Sequence, residues 1–297
     1  MERNTIMDRT RPLILGYGEM GHALERLLAA RHRPLIWQRT TPSSLETLAA
    51  DSDLLLFCLP ATAHPAIAAR LAPLLSPDAL CLTIAKGLDE NGHLPAEAMS
   101  EALGSDRVAV LYGPMIAEEI LTRRQAFAEC AAPTPEAQTR ITALFRGSAL
   151  RVDASQDRTG LSWSAVLKNV YAMAFGMADE LALGDNVRGF LTVAALDELS
   201  RLVRQLGGKT ETPYRIAGLG DLITTATSAG SHHHALGRKL ARGERNLSGE
   251  GIHTLKVLRR HPRFDNDGFP LFRLIDECAH EPQDVRRLLI TLLHSAL

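Results

Sequence analysis

Two hydrophobic rhythms divide this chain. Through about residue 155, short apolar runs bounded by glycine, proline or charge alternate with stretches of helical spacing. Residues 11–16, 33–37, 53–59, 79–85, 108–111, 125–131 and 149–152 read as strands. Residues 23–30, 62–75, 116–121 and 136–145 read as helices, the second of them broken by Pro65 and Pro73. Such alternation predicts an α/β fold with a parallel sheet covered on both faces. From Gly160 onward the period is helical almost everywhere, at residues 187–206, 233–240, 254–260, 271–279 and 284–293. The predicted organisation is an α/β domain over 1–155 followed by an all-α domain over 156–297, with the boundary between Asp153 and Gly160.

The longest apolar stretch, residues 161–183, opens the helical half. Residues 165–178 are apolar on nearly every side and contain no proline, as expected of a buried helix. Lys168 and Asn169 nevertheless sit inside it, where an unpaired ammonium or amide is costly. Two readings stand: a helix end at which Lys168 snorkels to solvent, or a catalytic lysine lining a cleft.

The first strand runs into Gly16, Tyr17, Gly18, Glu19, Met20 and Gly21 before a helix, which is the order G-x-G-x-x-G of a Rossmann-type dinucleotide site. The three glycines would turn the chain, admit a pyrophosphate and let helix pack on strand, with helix N-terminal amides facing the phosphates. The second strand ends in Gln38, Arg39 and Thr40, without the acidic residue that binds the ribose diol of NAD. Arg39 is a candidate for a 2′-phosphate or a solvated loop charge, so NADP or NAD is the expected cofactor. The third strand ends at Pro60, and Lys86 follows the fourth directly, where ligands of doubly wound sheets lie. Asp221, in a glycine-rich turn, reads either as a helix cap or as a partner that orients the Lys168 ammonium. Ser231 precedes His232, His233 and His234, but side chains of consecutive helical residues diverge, so no metal site is expected.

Composition narrows the class. Of 297 residues 45% are apolar and 23% charged, and the net charge is −1, which argues for a globular protein that binds neither nucleic acid nor a membrane surface. Cys58, Cys81, Cys130 and Cys278 show no paired spacing and read as buried thiols in a reducing compartment. With residues 1–11 polar and charged, a soluble cytoplasmic protein is expected.

These motifs, taken in order, resemble the NAD(P)-dependent glycerol-3-phosphate dehydrogenases over nearly the whole chain. The similarity runs through Gly16 to Gly21, then Ala85, Lys86 and Gly87, then Gly113 and Pro114 with Ala117 and Glu118. It continues at Leu167, Lys168, Asn169 and Val170, at Gly184, Asp185 and Asn186, at residues 217–222 and 224–228, and at Gly249, Glu250 and Gly251. The resemblance implies a nucleotide-binding domain, a helical substrate domain, and hydride exchange between NAD(P)H and C2 of a three-carbon phosphate. It implies Lys168 as general acid/base at the C2 oxygen, with Lys86, Asn169 and Asp221 orienting and stabilising it. Thr225 then lines the substrate site, as do Lys86, Gly113, Ser231, His232 and His233. Pro60 and Glu250 then lie at the cofactor, Glu250 near the nicotinamide or the ribose. A homodimer is compatible with the resemblance.

Three departures accompany the match. The link between the second and third strands is short, and the segment after Arg188 differs, beginning at Gly189. The family's Ser-Arg-Asn, whose arginine grips the substrate phosphate, is here Ser231, His232 and His233. Besides a dehydrogenase of this family acting on glycerol 3-phosphate, two readings remain: a divergent dehydrogenase with another small hydroxy or keto substrate, and a dinucleotide-binding sensor without catalysis.

Overall fold

In the computed structural model, which describes residues 10–228, 230–281 and 284–295, the apolar runs of the first half become one seven-stranded sheet. Residues 1–9 of the polar N-terminal stretch lie outside the described residues. The strands are β1 (Pro12–Leu15), β2 (Leu35–Trp37), β3 (Leu54–Phe57), β4 (Leu80–Thr83), β5 (Val108–Tyr112), β6 (Ala126–Ala131) and β7 (Leu150–Ser155). Their order is β2-β1-β3-β4-β5-β6-β7. Because the chain leaves β1 toward β2 and then returns to β3 on the other side, a switch point lies at the carboxyl ends of β1 and β3. β1, β3 and β4 are buried along their whole length, which explains their unbroken apolar runs.

One pair departs from the expected parallel sheet: β6 runs antiparallel to β5, with Leu111 opposite Cys130. The helix between them, α5 (Ala117–Leu121), reaches only about 7.5 Å against the about 17 Å of β5, so it does not carry the chain back along the sheet, and β6 starts from the end at which β5 stops. The following connection contains the ten-residue α6 (Pro135–Leu144), and β7 is parallel to β6 again.

The remaining helices of this half are α1 (Glu19–Leu28), α2 (Leu45–Ala50), α3 (His64–Leu71) and α4 (Pro95–Leu103). Pro65 does not break a helix, because it falls in the first turn of α3, where the missing N–H is of no consequence. The helix closes at Leu71, short of Pro73. Helices α2 and α4 were not legible in the hydrophobic pattern. The first is only six residues long and depends on Ser44, whose hydroxyl accepts the Thr47 N–H at 3.1 Å. At the start of the second, the Glu97 carboxylate reaches back to the Leu94 N–H at 2.8 Å.

The helical half consists of α7 (Arg158–Glu180), α8 (Asp185–Gln205), α9 (Asp221–Thr227), α10 (His232–Ala241), α11 (Glu250–Arg260), α12 (Pro270–His280) and α13 (Val285–His294). The chain separates into two compact units, one running to Asp89 and from His93 to Arg158, the other comprising Glu90–Gly92 and everything from Thr159. Helix α7 is the core of the second unit, buried without interruption from Gly160 to Ala178. Helix α10 touches it backbone to backbone: a Cβ on Gly237 would fall 1.9 Å from the Met173 carbonyl, and one on Gly176 would fall 2.0 Å from that of His234. Buried Glu198 of α8 ties the bundle together, accepting the N–H groups of Leu271 and Phe272 at the start of α12 and the Tyr171 hydroxyl of α7. Among the described residues no helix is long and apolar enough to cross a membrane.

Candidate active site

At the switch point of the sheet unit, Gly16 adopts φ +95°, and a Cβ there would fall 2.5 Å from the Cys58 carbonyl at the end of β3. Gly21 lies equally close to the Gly16 carbonyl, whereas a Cβ on Gly18 would meet no protein atom within 4 Å. Packing inside the chain therefore explains the outer two glycines and not the middle one. The middle glycine is the one a pyrophosphate approaches in a dinucleotide fingerprint, so the residues present fit such a cofactor. Gly18 also stands at the N-cap of α1, whose first-turn amides face outward there, although Glu19 adds a carboxylate to that turn. Tyr17 hydrogen-bonds Glu25 of α1, which raises the phenol's pKa. Met20 packs against the core beneath the turn. Arg39 is exposed beyond β2, in a turn closed by the Thr41 N–H to the Gln38 carbonyl at 2.9 Å.

Lys86, half-buried beyond β4, gives its ammonium to the Gly113 carbonyl at 3.0 Å, bringing together two residues of the sequence-derived site. Pro60 opens a 3-10 turn (Ala61–Ala63) and is exposed. Sequence reasoning did not find the residue between these loops, His64. It is fully buried, with Nδ1 3.0 Å from the Pro60 carbonyl and Nε2 2.9 Å from the Thr83 hydroxyl. Burial pulls its pKa down to about 4, only partly offset by the Pro60 carbonyl. The unfolded chain binds this proton below pH 6.5, while the folded chain refuses it until about pH 4. The stability contributed above pH 6.5 is thus lost as pH falls through that window. We expect His64→Leu to flatten the acid decline of the unfolding free energy from urea titrations between pH 6.5 and 5, by up to about 1.4 kcal/mol per pH unit. Parallel curves for wild type and variant would show that another group is responsible.

In the helical unit, Lys168 is only 3% exposed, which removes the snorkelling alternative. Its Nζ lies 3.1 Å from Asp221 Oδ2 and donates to Thr225 Oγ1 at 2.6 Å. The Thr225 hydroxyl in turn donates to the Asp221 carbonyl at 2.7 Å. The predicted turn before Asp221 is instead a π-helical turn, Ile216–Gly220, that runs straight into α9. Its wide winding accompanies Gly218, whose Cβ position is 2.1 Å from the Pro213 carbonyl. Asp221 is therefore the first residue of α9, one position past the N-cap Gly220, and its carboxylate compensates the buried lysine. Asn169, the neighbour of Lys168, is 2% exposed.

The histidine tract is divided among three environments. Ser231 caps α10 by accepting the His234 N–H, and His232 is exposed in the first turn. Half-buried His233 has Nδ1 3.3 Å from the Cβ position of Gly251, as is the Asn169 carbonyl, so the first turns of α10 and α11 meet α7 beside Lys168. Glu250 begins α11 next to that contact. His234 instead turns its Nε2 to Asp179, 2.6 Å away. Burial would raise the Asp179 carboxyl, but hydrogen bonds from Arg188 and His234 outweigh it and hold the pKa low. Among the described residues no group of His, Cys, Asp and Glu is arranged to hold a metal ion.

The arrangement matches known proteins along most of its length. Residues 40–138 match the family described as NAD-dependent glycerol-3-phosphate dehydrogenase N-terminus, and residues 157–290 its C-terminus. The chain is 32% identical to a glycerol-3-phosphate dehydrogenase [NAD(P)+] of Synechocystis sp., covering 93% of this chain and 92% of that one. It is 38% identical to a namesake from Deinococcus radiodurans over 78% of this chain and 71% of the other. A crystal structure of glycerol-3-phosphate dehydrogenase from Coxiella burnetii superposes with a TM-score of 0.84 at 25% identity, covering 97% of this chain and all 100% of that one. With its nucleotide turn, its buried lysine pair and full-length relatives of this kind, the chain belongs to the NAD-dependent glycerol-3-phosphate dehydrogenase family.

Proposed function

We propose that this protein interconverts dihydroxyacetone phosphate and glycerol 3-phosphate using NAD(P)H, with Lys168 as the acid/base at the C2 oxygen. The bound nicotinamide supplies a hydride to C2. In that direction the Lys168 ammonium gives its proton to the C2 oxygen as negative charge develops there, and the ketone becomes a secondary alcohol. In reverse the neutral amine takes the hydroxyl proton. Asp221 and Thr225 fix the direction of the ammonium, and Asn169 and Lys86 are the further groups that orient and stabilise the reacting oxygen. Gly113, Ser231, His232 and His233 belong to the substrate side of this reading; Pro60, Arg39, Glu250 and the turn from Gly16 to Gly21 belong to the cofactor side. The observation that carries it is the buried Lys168, paired with a carboxylate and a hydroxyl. A sensor that only binds the nucleotide has no use for such a proton donor.

NADPH oxidation with dihydroxyacetone phosphate tests this directly, and a nucleotide that binds without turnover of any ketone would leave the sensor reading. The missing arginine at position 232 favours one alternative, a divergent dehydrogenase with another small hydroxy or keto substrate. The four unpaired cysteines support a reducing, cytoplasmic setting; burial pushes the thiols of Cys58, Cys81, Cys130 and Cys278 up to about 12. A homodimer is the proposed assembly, to be tested by sedimentation.

Cofactor preference follows from the end of β2. With Arg39 exposed there and no carboxylate to repel a 2′-phosphate, NADPH should bind at least as tightly as NADH. Fluorescence titration of both nucleotides should show Arg39→Ala weakening NADPH selectively. A clear NADH preference that the substitution leaves unchanged would remove the role of Arg39.

A further inference from the structure

The hydrogen-bonded chain through His64 links two loops at the carboxyl edge of the sheet. The Pro60 carbonyl can only accept, so His64 Nδ1 carries the proton and its Nε2 accepts the hydrogen of the Thr83 hydroxyl. That leaves a lone pair on Thr83 Oγ1 for the Ala85 N–H, 3.1 Å away. The last bond spans two residues and bends the chain as it leaves β4, immediately before Lys86. The two loops also touch beside it, since a Cβ on Gly87 would lie 3.6 Å from that of Ala61. Lys86 is thus held from two sides: the residue before it, Ala85, is fixed by this chain, and its ammonium by the Gly113 carbonyl at 3.0 Å.

We infer that His64 and Thr83 are positioning residues, which set the place of Lys86 relative to the Pro60 turn and act on the reaction through it. The inference rests on the role of Lys86 proposed above. Neither residue faces substrate or cofactor directly: both are fully buried. Without the hydroxyl, the Ala85 N–H and the His64 Nε2 lose their common partner, and the link that starts at Pro60 ends at the imidazole.

Two variants cut the chain at different points. Thr83→Val removes the hydroxyl at nearly constant shape, and His64→Asn keeps a donor for the Pro60 carbonyl while losing the reach to Thr83. In the NADPH-dependent reduction of dihydroxyacetone phosphate, each is expected to lower kcat by about tenfold, because small displacements of a reacting group are costly. Thr83→Ser, which retains the hydroxyl, should restore most of the rate. In a Lys86→Ala background, Thr83→Val should cost nothing further, since both act through one group. Thermal midpoints recorded alongside separate this from a purely structural role, which would lower Tm and leave the kcat of folded enzyme unchanged. Should Thr83→Val fail to fold, His64→Asn and Thr83→Ser carry the test. Wild-type kcat in the folded variants, with Lys86→Ala slow, overturns the inference alone. Wild-type kcat in Lys86→Ala overturns the proposed role of Lys86, and the inference with it.

Discussion

Lys168→Ala is expected to reduce kcat by roughly 10²-fold or more while leaving NADPH affinity nearly unchanged. A proton donor acts on the transition state, not on the nucleotide, so the loss should appear in turnover at saturating substrate. The same substitution leaves Asp221, itself 3% exposed, without its compensating charge, and breaking a buried pair typically costs about 3 to 5 kcal/mol of stability. Circular dichroism and a thermal scan must therefore accompany the kinetics. The double variant Lys168→Ala with Asp221→Asn removes the stranded carboxylate and should recover stability without recovering rate. A Lys168→Ala enzyme that is folded and keeps most of its kcat would mean that the lysine pair only holds α7 to α9.

The reading of this pair shows where sequence suffices and where it stops. Lys168 drew notice because a charge inside an otherwise apolar helical stretch requires a partner, and that requirement holds before any coordinates are known. The partner's identity was less legible. Ile216 to Asp221 contains two glycines and reads as a turn, yet it winds as a π-helical turn continuous with α9, which brings the Asp221 carboxylate to Lys168. The contact between Gly218 and the Pro213 backbone that accompanies this winding is tertiary and leaves no mark in local periodicity.

The sheet shows the same division. Apolar runs located its strands because buried strands need them, but such a run carries no direction, and β6 reverses after a helix, α5, that does not run back along the sheet. His64 was invisible for a related reason. A histidine before a proline looks like loop punctuation, and nothing local reveals that Thr83, 19 residues later, completes its hydrogen bonding inside the sheet. By contrast, the outer glycines of the nucleotide turn behave as their spacing implies, with Gly16 against β3 and Gly21 against the Gly16 carbonyl.

The substrate phosphate is where residue chemistry and family membership diverge, and His232→Arg is expected to lower the KM for dihydroxyacetone phosphate by about 10- to 150-fold. That range follows from hydrogen bonds to charged groups, worth roughly 1.5 to 3 kcal/mol, because a guanidinium grips a phosphate bidentately and carries a permanent charge. The position can receive an arginine: His232 is exposed in the first turn of α10, and that helix is seated on α7 by backbone contacts at Gly176 and Gly237 that the substitution does not touch. The two cations that could have stood in for it are poorly placed to do so. Arg188 is engaged by Asp179 at 2.7 Å and by Asp185 at 3.0 Å. Lys239 lies two helical turns further along α10, about 10 Å from His232. Ser231 is likewise occupied, as the cap of the helix. The gain should fall on KM and leave kcat nearly unchanged, since the phosphate takes no part in the bond changes at C2 and its binding is common to ground and transition states. A wild-type KM already in the micromolar range, with no improvement in the arginine variant, would show that other residues grip the phosphate. Turnover of an unphosphorylated hydroxy acid, with no activity on any phosphorylated triose even in His232→Arg, would make the divergent-substrate reading the better one.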